Sequence, residues 1–134
     1  MLYVFVENGL EEIDYEQIKH KVTFFDYHKS ITDHNDFCLK FKSYENKQDD
    51  YRFNAFRFAY KVFAMKKALS LNSSDFLIWL DADIKTVKPI TETFLTQLTD
   101  NKKYMSYLGR AHVKKVNVRY SENGFTIFNT RHPL

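Results

Sequence analysis

The most informative segment of the chain is FLIWLDAD, residues 76–83, in which five apolar residues run directly into an Asp-Ala-Asp sequence. A short continuous apolar run is typical of a central strand covered on both faces, as in a parallel α/β sheet. Open α/β sheets bind their ligands at the carboxyl ends of the strands. We therefore expect a central strand over residues 76–80, with Asp81 and Asp83 at its ligand-binding end.

This aspartate pair has the chemistry of a divalent-cation site. Carboxylate oxygens suit Mg²⁺ or Mn²⁺, whose remaining coordination positions are normally left to water and phosphate oxygens. His132 is a further candidate ligand for the same metal ion, through an imidazole nitrogen. The alternatives are an ordinary loop turn for Asp81 and Asp83 and a structural role for the histidine.

Strand and helix patterns alternate around this segment, which predicts an α/β class, and the length of 134 residues predicts a single domain over residues 1–134. We expect strands at 2–6, 22–27, 104–108 and 125–128, and helices at 10–20, 51–70 and 91–99. Residues 28–50 read mostly as loop, with a short strand near 37–41, and residues 109–124 read as a basic loop. Asp49 or Asp50 is placed to cap the helix at 51–70.

The helix predicted at 51–70 carries a basic pair between two apolar arcs. At about 100° per residue, Arg57 and Lys61 fall on a strip shared with Ala64 and Ala68. Cations flanked by apolar surface are expected to be partly buried beside an anionic partner, or to extend their charged ends to water. The arcs themselves are formed by Phe53, Phe56, Tyr60 and Phe63 on one side and by Phe58, Val62, Met65 and Leu69 on the other.

Charge and cysteine content narrow the partners and the compartment. Residues 1–50 have a balance of −5, whereas residues 51–134 have a balance of +8. The basic part favours an anionic ligand such as a phosphate, or else a solvated basic face. The single Cys38 excludes an internal disulfide, and the acidic first 20 residues do not resemble a signal peptide. With no apolar run long enough to cross a membrane, we expect a cytoplasmic location.

The order of the segments resembles the nucleotide-sugar-dependent glycosyltransferases of the GT-A fold. The resemblance covers roughly residues 51–133, and its most specific part is the combination of LDAD with SENGFTIFN. The matching segments are RFNAFRFAYKVFAM at 52–65, FLIWLDADI at 76–84, YMSYLGR at 104–110 and YSENGFTIFNTRHP at 120–133.

This resemblance implies a mostly parallel central sheet flanked by helices and a nucleoside-diphosphate sugar donor bridged by Mn²⁺ or Mg²⁺. Asp83 would bind the metal directly, and Asp81 would contact the metal, the ribose or the sugar. The donor phosphates would lie near basic residues, for which the candidates are Arg57, Lys61 and Arg110. Glu122 and Asn129 would face the transferred sugar or the acceptor, which is a hydroxyl of a glycan or of a lipid-linked molecule.

Glu122 is also singled out by its position. It is the one acidic residue after position 50 that lies neither in the aspartate pair nor at a predicted helix or strand end, and it adjoins Gly124, where we expect a turn. We expect it to act as a general base or to accept a hydrogen bond from a sugar hydroxyl; the alternative is an exposed loop glutamate.

The resemblance also implies that the domain is partial. The family's fold starts with a strand and a turn that hold the nucleoside, which here would fall within the first 30 residues, and it continues past the acceptor region.

The alternatives to an active glycosyltransferase are a relative that binds the donor without transferring it, a phosphohydrolase of the haloacid-dehalogenase type, and a basic nucleic-acid-binding module. The phosphohydrolase motif requires Thr or Val where this chain has Lys85. Nucleic acid is disfavoured because no recognised motif accompanies Lys114, Lys115 and Arg119.

Overall fold

The computed structural model describes residues 1–14, 21–45, 54–71, 73–99, 103–108 and 122–133. The chain divides into two compact units, Met1–Asn72 and Ser73–Leu134. Each unit has its own strands and helices, so the class is mixed α/β, as predicted. Within the described ranges, no helix has the length and apolar character needed to cross a membrane.

The first unit begins with two parallel strands, β1 (Leu2–Val6) and β2 (Val22–Asp26). Their register runs from Leu2 opposite Val22 to Val6 opposite Asp26. Alternating aromatic residues stabilise the pair, since the rings of Phe5 and Phe25 stack with centroids 5.2 Å apart. Both predicted strands are confirmed.

The segment after β2 is helical, and the prediction of a loop with a strand near residues 37–41 is wrong. It forms α1 (Tyr27–Ser30), α2 (Thr32–Lys40) and a 3₁₀ turn at Lys42–Tyr44. The missed signal is a helical repeat, because His34, Phe37 and Phe41 recur at a spacing of three and four residues. Their rings pack against other aromatic rings: the centroid of the Phe37 ring lies 5.9 Å from that of Phe56 and 5.7 Å from that of Phe63, both in the next helix.

That next helix, α3 (Ala55–Leu71), confirms the predicted helix but begins later. Asn54 caps it: its Oδ1 accepts a hydrogen bond of 2.9 Å from the backbone N–H of Arg57. The predicted caps, Asp49 and Asp50, lie outside the described residues. The arc containing Phe56, Tyr60 and Phe63 faces the rest of this unit. Most of the second predicted arc lies on the opposite side and is exposed, with Phe58, Val62 and Leu69 showing 53%, 59% and 46% of their surface.

The helix predicted at 10–20 is only partly described. Leu10–Glu12 forms a 3₁₀ turn, and Ile13 is already extended, so the predicted α-helix does not begin at residue 10. Gly9 precedes the turn with φ of 74°, a left-handed conformation that glycine adopts without steric cost. Residues 15–20 lie outside the described ranges.

The second unit is a three-stranded antiparallel sheet with one short helix. β3 (Phe76–Leu80), β4 (Met105–Leu108) and β5 (Glu122–Asn129) have the order β3-β5-β4, and α4 (Glu92–Leu98) lies between β3 and β4 in the chain. All four predicted elements are present, but β5 begins at Glu122, so the prediction of a loop over 109–124 is wrong at residues 122–124. The hydroxyl of Thr91 caps α4 by accepting a 3.1 Å hydrogen bond from the N–H of Phe94.

The placement of two of these segments differs from the prediction. In the described part of the chain β3 pairs only with β5, antiparallel, and Ile78 and Leu80 are 38% and 42% exposed. The central strand is instead β5, where Phe125, Thr126 and Ile127 are all buried. Gly124 lies within this strand and is buried, so the turn expected there is not present.

Candidate functional site

The two aspartates after β3 belong to one backbone turn. The N–H of Ile84 donates a hydrogen bond of 3.1 Å to the carbonyl oxygen of Asp81, which closes a four-residue turn containing Asp83. Asp81 is half-buried, while Asp83 is exposed. The turn therefore presents two carboxylates, one beside the sheet and one toward solvent.

This turn is attached to the start of β5. The N–H of Asp81 donates a 2.8 Å hydrogen bond to the carbonyl oxygen of Gly124, which extends the β3–β5 pairing beyond Leu80. At the same edge of the sheet, Leu108 pairs with Glu122 after an irregularity in the β4–β5 register. We call this end of the sheet, where β3 and β4 end and β5 begins, the Asp81 edge. It comprises the turn at 81–84, the end of β4 and the start of β5. Register irregularities of this kind are frequent next to active sites.

Asp81 has an additional side-chain partner that the sequence interpretation missed. The indole N–H of Trp79 donates a hydrogen bond to Oδ1 of Asp81. Residues two apart on a strand project from the same face, so the Trp-x-Asp spacing could have suggested the contact. The tryptophan was read only as part of the apolar run.

The opposite edge of the sheet is closed by local interactions among Asp75, Asn129, Thr130 and Arg131; we call it the Asp75 edge. The N–H of Thr130 donates to the carbonyl oxygen of Asp75 over 2.9 Å. Arg131 forms an ion pair of 2.6 Å with the Asp75 carboxylate, and its N–H donates to Oδ1 of Asn129 over 3.0 Å. His132 lies here too, 6.0 Å from the ring of Tyr104.

This arrangement corrects two parts of the predicted site. Asn129 pairs with Phe76 and Phe125 pairs with Leu80, so β5 spans the sheet between its two edges. Gly124 and Asn129 are about 17 Å apart along the strand, at roughly 3.4 Å per residue. Asp81 and His132 therefore do not share a metal ion in this sheet. Asn129 is buried at the Asp75 edge and does not lie beside the backbone of Glu122.

The remaining predicted site residues are distributed as follows. Arg57 and Lys61 lie on α3 in the first unit, where Arg57 is exposed and Lys61 is half-buried. The predicted partial burial of the basic pair is therefore confirmed for Lys61 and wrong for Arg57. Ala64 and Ala68, on the same strip of the helix, are buried. The backbone of Glu122 lies at the Asp81 edge, while its side chain and the whole of Arg110 lie outside the description.

The aspartate turn suits a divalent cation that keeps most of its coordination for other ligands. No three His, Cys, Asp or Glu side chains in the described ranges converge as a metal site would require. Asp81 and Asp83 supply two hard oxygen donors from one turn. Mg²⁺ is commonly bound by one or two carboxylates together with water and substrate phosphates, so the donor set fits such an ion.

The first unit contains a different polar cluster, enclosed by aromatic rings. His34 is 2% exposed and lies 4.3 Å from the ring of Tyr60 and 5.5 Å from that of Tyr27. Its Nε2 is 3.3 Å from the carbonyl oxygen of Phe56 and 3.4 Å from the sulfur of Cys38. Burial raises the pKa of the Cys38 thiol. A raised thiol pKa lowers the thiolate fraction, so this cluster has the character of a core and not of a nucleophilic site.

Two tyrosines of this cluster are also kept neutral. Burial raises the pKa of Tyr27, and the Tyr60 side chain adds to the effect. Burial likewise raises the pKa of Tyr60, with the charge of Glu7 as the next contribution. Both hydroxyls therefore act as hydrogen-bonding groups over the physiological pH range, and that of Tyr27 donates to the carbonyl oxygen of Tyr60 over 3.4 Å.

Comparison with known proteins adds no assignment. No protein-family model, no curated protein and no solved structure matches the chain. The functional interpretation therefore rests on the residues and on the geometry of the Asp81 edge.

Proposed function

We propose that the chain is a metal-dependent glycosyltransferase of GT-A type, which transfers a sugar from a nucleoside-diphosphate sugar to a hydroxyl of a glycan or of a lipid-linked acceptor. In this proposal the aspartate turn at residues 81–84 binds the donor through Mn²⁺ or Mg²⁺. The proposal includes a location in the cytoplasm and the mostly parallel central sheet of that fold.

One observation carries the proposal. The hydrogen bond between Asp81 N–H and the Gly124 carbonyl joins the LDAD segment to the SENGFTIFN segment, which lie some 40 residues apart in the chain. These two segments are the specific part of the resemblance, and a shared donor and acceptor site requires them to meet. Because β3 and β4 both run antiparallel to β5, they are parallel to each other, and their carboxyl ends lie at this same edge.

The roles of the residues follow from their positions. Asp81 and Asp83 would hold the cation, which when bound neutralises the departing diphosphate. Glu122 would accept the proton of the acceptor hydroxyl, since its backbone lies at the Asp81 edge. Arg110, two residues after β4 in the chain, would contact the donor phosphates. Asn129 and His132 have no part in the proposal.

Calorimetric titration of the whole chain with UDP and with GDP tests donor binding, first with Mn²⁺ and then with EDTA. We expect one nucleotide to bind in a Mn²⁺-dependent manner, and Asp83→Ala to abolish that binding. Asp75→Ala is the matched control, because it removes a carboxylate from the same unit at the opposite edge of the sheet. If the folded chain binds neither nucleotide, or if both variants behave alike, the proposal is overturned.

Transfer is tested separately from binding. The expected result is slow hydrolysis of the UDP-sugar or GDP-sugar whose nucleotide binds, with loss of turnover but retention of nucleotide binding in Glu122→Gln. Binding with no turnover under any condition would support the alternative of an inactive donor-binding relative. Cleavage of a generic aryl phosphate would point instead to the phosphohydrolase.

A further inference from the structure

Trp79 and Asp81 form a side-chain pair on one face of β3. The indole N–H donates to Oδ1 of Asp81, and the two residues are separated by one strand position. Trp79 is half-buried, whereas its neighbours Ile78 and Leu80 on the other face are exposed. The indole is therefore on the more protected face of the strand, next to the carboxylate.

The surroundings of this pair hold both partners in place. Trp79 pairs with Thr126 of the central strand, and Thr126 is 3% exposed. The backbone of Asp81 is held by its N–H on the Gly124 carbonyl and by its own carbonyl, which accepts from Ile84. With backbone and side chain both bound to neighbouring groups, the carboxylate has little freedom to rotate.

An indole N–H bound to a carboxylate leaves that carboxylate able to bind other groups. A carboxylate offers about four acceptor positions on its two oxygens, and an indole N–H occupies one of them. Hydrogen bonds to an ionised acceptor are stronger than neutral ones. Outer partners of metal-binding side chains orient them, and removing such a partner commonly weakens metal binding by about 10-fold to 100-fold.

We infer that Trp79 is a positioning residue for the cation site, acting through Asp81. The inference rests on the proposed function, since it requires Asp81 to bind a divalent cation. Its indole N–H holds the carboxylate in the orientation that receives Mn²⁺ or Mg²⁺. The bulk of the indole, by contrast, serves to cover the sheet.

Trp79→Phe separates these two contributions, because phenylalanine retains an aromatic ring on the strand and lacks the N–H. Mn²⁺ affinity is measured by calorimetry in the presence of the nucleotide that binds. We expect Trp79→Phe to weaken Mn²⁺ binding by about 10-fold or more, with little change in the thermal midpoint. Tyr104→Phe is the matched control: it also removes one donor from an aromatic side chain, at the Asp75 edge, and should leave Mn²⁺ affinity unchanged.

A second readout uses the native fluorophore. Trp79 is the only tryptophan in the chain, so its emission reports directly on the environment of the indole. We expect Mn²⁺ to change that emission in the wild-type chain, and Asp81→Asn to remove the response. An unchanged emission on Mn²⁺ binding overturns the inference even if Trp79→Phe fails to fold.

The outcomes distinguish the inference from the proposed function. If Mn²⁺ binds the wild-type chain and Trp79→Phe equally well, the positioning role is overturned and the donor site stands. If Mn²⁺ binds but leaves Trp79 emission unchanged, the positioning role is also overturned. If folded wild-type chain binds no Mn²⁺ with UDP or with GDP, the proposed function fails and the inference fails with it.

Discussion

Two aspartates flank β3, Asp75 before it and Asp81 after it, and the structure uses them in opposite ways. The carboxylate of Asp75 is neutralised by Arg131 at 2.6 Å, and its carbonyl accepts from Thr130, so the Asp75 edge is tied together by its own residues. The carboxylate of Asp81 accepts a hydrogen bond from Trp79, and the same turn carries the exposed Asp83.

This difference shows that residue type alone does not mark a site. Both aspartates adjoin the same strand, but an arginine two residues after β5 reaches one of them and an indole reaches the other. The Asp75 edge, whose carboxylate is taken up by Arg131, is therefore the better candidate for holding the sheet. The Asp81 edge carries two carboxylates on one turn and is the better candidate for binding.

The largest effect on the free energy of unfolding is expected from truncating a buried side chain of β5, the strand that joins the two edges. Ile127 lies in the middle of β5 and is 2% exposed. Ile127→Ala should destabilise the chain by about 2–5 kcal/mol through lost burial and the cavity left behind. Urea unfolding measures the change, and Ile90→Ala, at a position 44% exposed, should cost no more than about 0.5 kcal/mol. Equal costs would mean that β5 is not the core of the unit.

The comparison itself is tested by making the same substitution at both aspartates. Asp81→Asn should weaken Mn²⁺ binding at least tenfold, about 1.4 kcal/mol, because it removes a charged ligand. Asp75→Asn should leave Mn²⁺ binding intact and cost about 0–1 kcal/mol of stability, since its ion pair with Arg131 is largely exposed. Calorimetry and urea unfolding on both variants suffice, and a reversed pattern would refute the assignment of the two edges.

A smaller effect is expected at the hydroxyl that closes the Asp75 edge. Thr130 Oγ1 donates to the carbonyl oxygen of Ser74 over 2.6 Å. Thr130→Val keeps the branched shape and removes the hydroxyl, which should cost about 1 kcal/mol. Hydrogen exchange at the backbone N–H of Thr130 should speed up while Mn²⁺ affinity stays the same. A loss of Mn²⁺ affinity in this variant would show that the two edges are coupled.

The smallest effect extends the comparison to the first unit, where Asp33 resembles Asp75. Lys66 Nζ lies 2.5 Å from its carboxylate, and this hydrogen bond holds the pKa of Asp33 below its ordinary value of 3.8. A lowered pKa stabilises the folded chain above the ordinary value, and the contribution is lost as the pH falls through the folded-state pKa. Lys66→Met should raise the pKa of Asp33 and reduce this acid-dependent loss.

Carboxyl titration by NMR measures that change, with Asp26 as an internal control. The pKa of Asp26 is lowered chiefly by the backbone N–H of Lys29 and then by the Lys29 side chain. Lys66 makes no contribution to it, so Asp26 should titrate identically in both chains. A shift of both groups would indicate a general change in the unit instead of a local one.

Most elements could be predicted from local sequence because their signals are local. The strands at 2–6, 22–26 and 76–80 and the helix capped by Thr91 follow from alternation, apolar runs and capping residues. The helix α2 does not follow from composition because residues 28–50 are polar and mixed, although His34 within it is buried against Tyr27, Tyr60 and Phe63. A histidine surrounded by rings behaves as a core residue, which only the packing reveals.

The sequence predicts the two carboxylates of the candidate site but not which other residues lie near them. Asp81 and Asp83 were found because an apolar strand leads directly into them. Asn129 and His132 were grouped with them because they lie close to Glu122 in the chain. An extended strand of eight residues holds its two ends far apart, so Glu122 and Asn129, which are close in the sequence, lie at opposite ends of the sheet.

The sequence by itself determined the mixed α/β class, the positions of the strands and the carboxylate pair at the end of β3, because each depends on residues that are adjacent in the chain. The tertiary structure decided which strand is central, which aspartate is paired with an arginine and which one receives an indole N–H. These outcomes depend on strand register, and register is set by which faces are buried and by distant partners. The local sequence pattern does not determine the register.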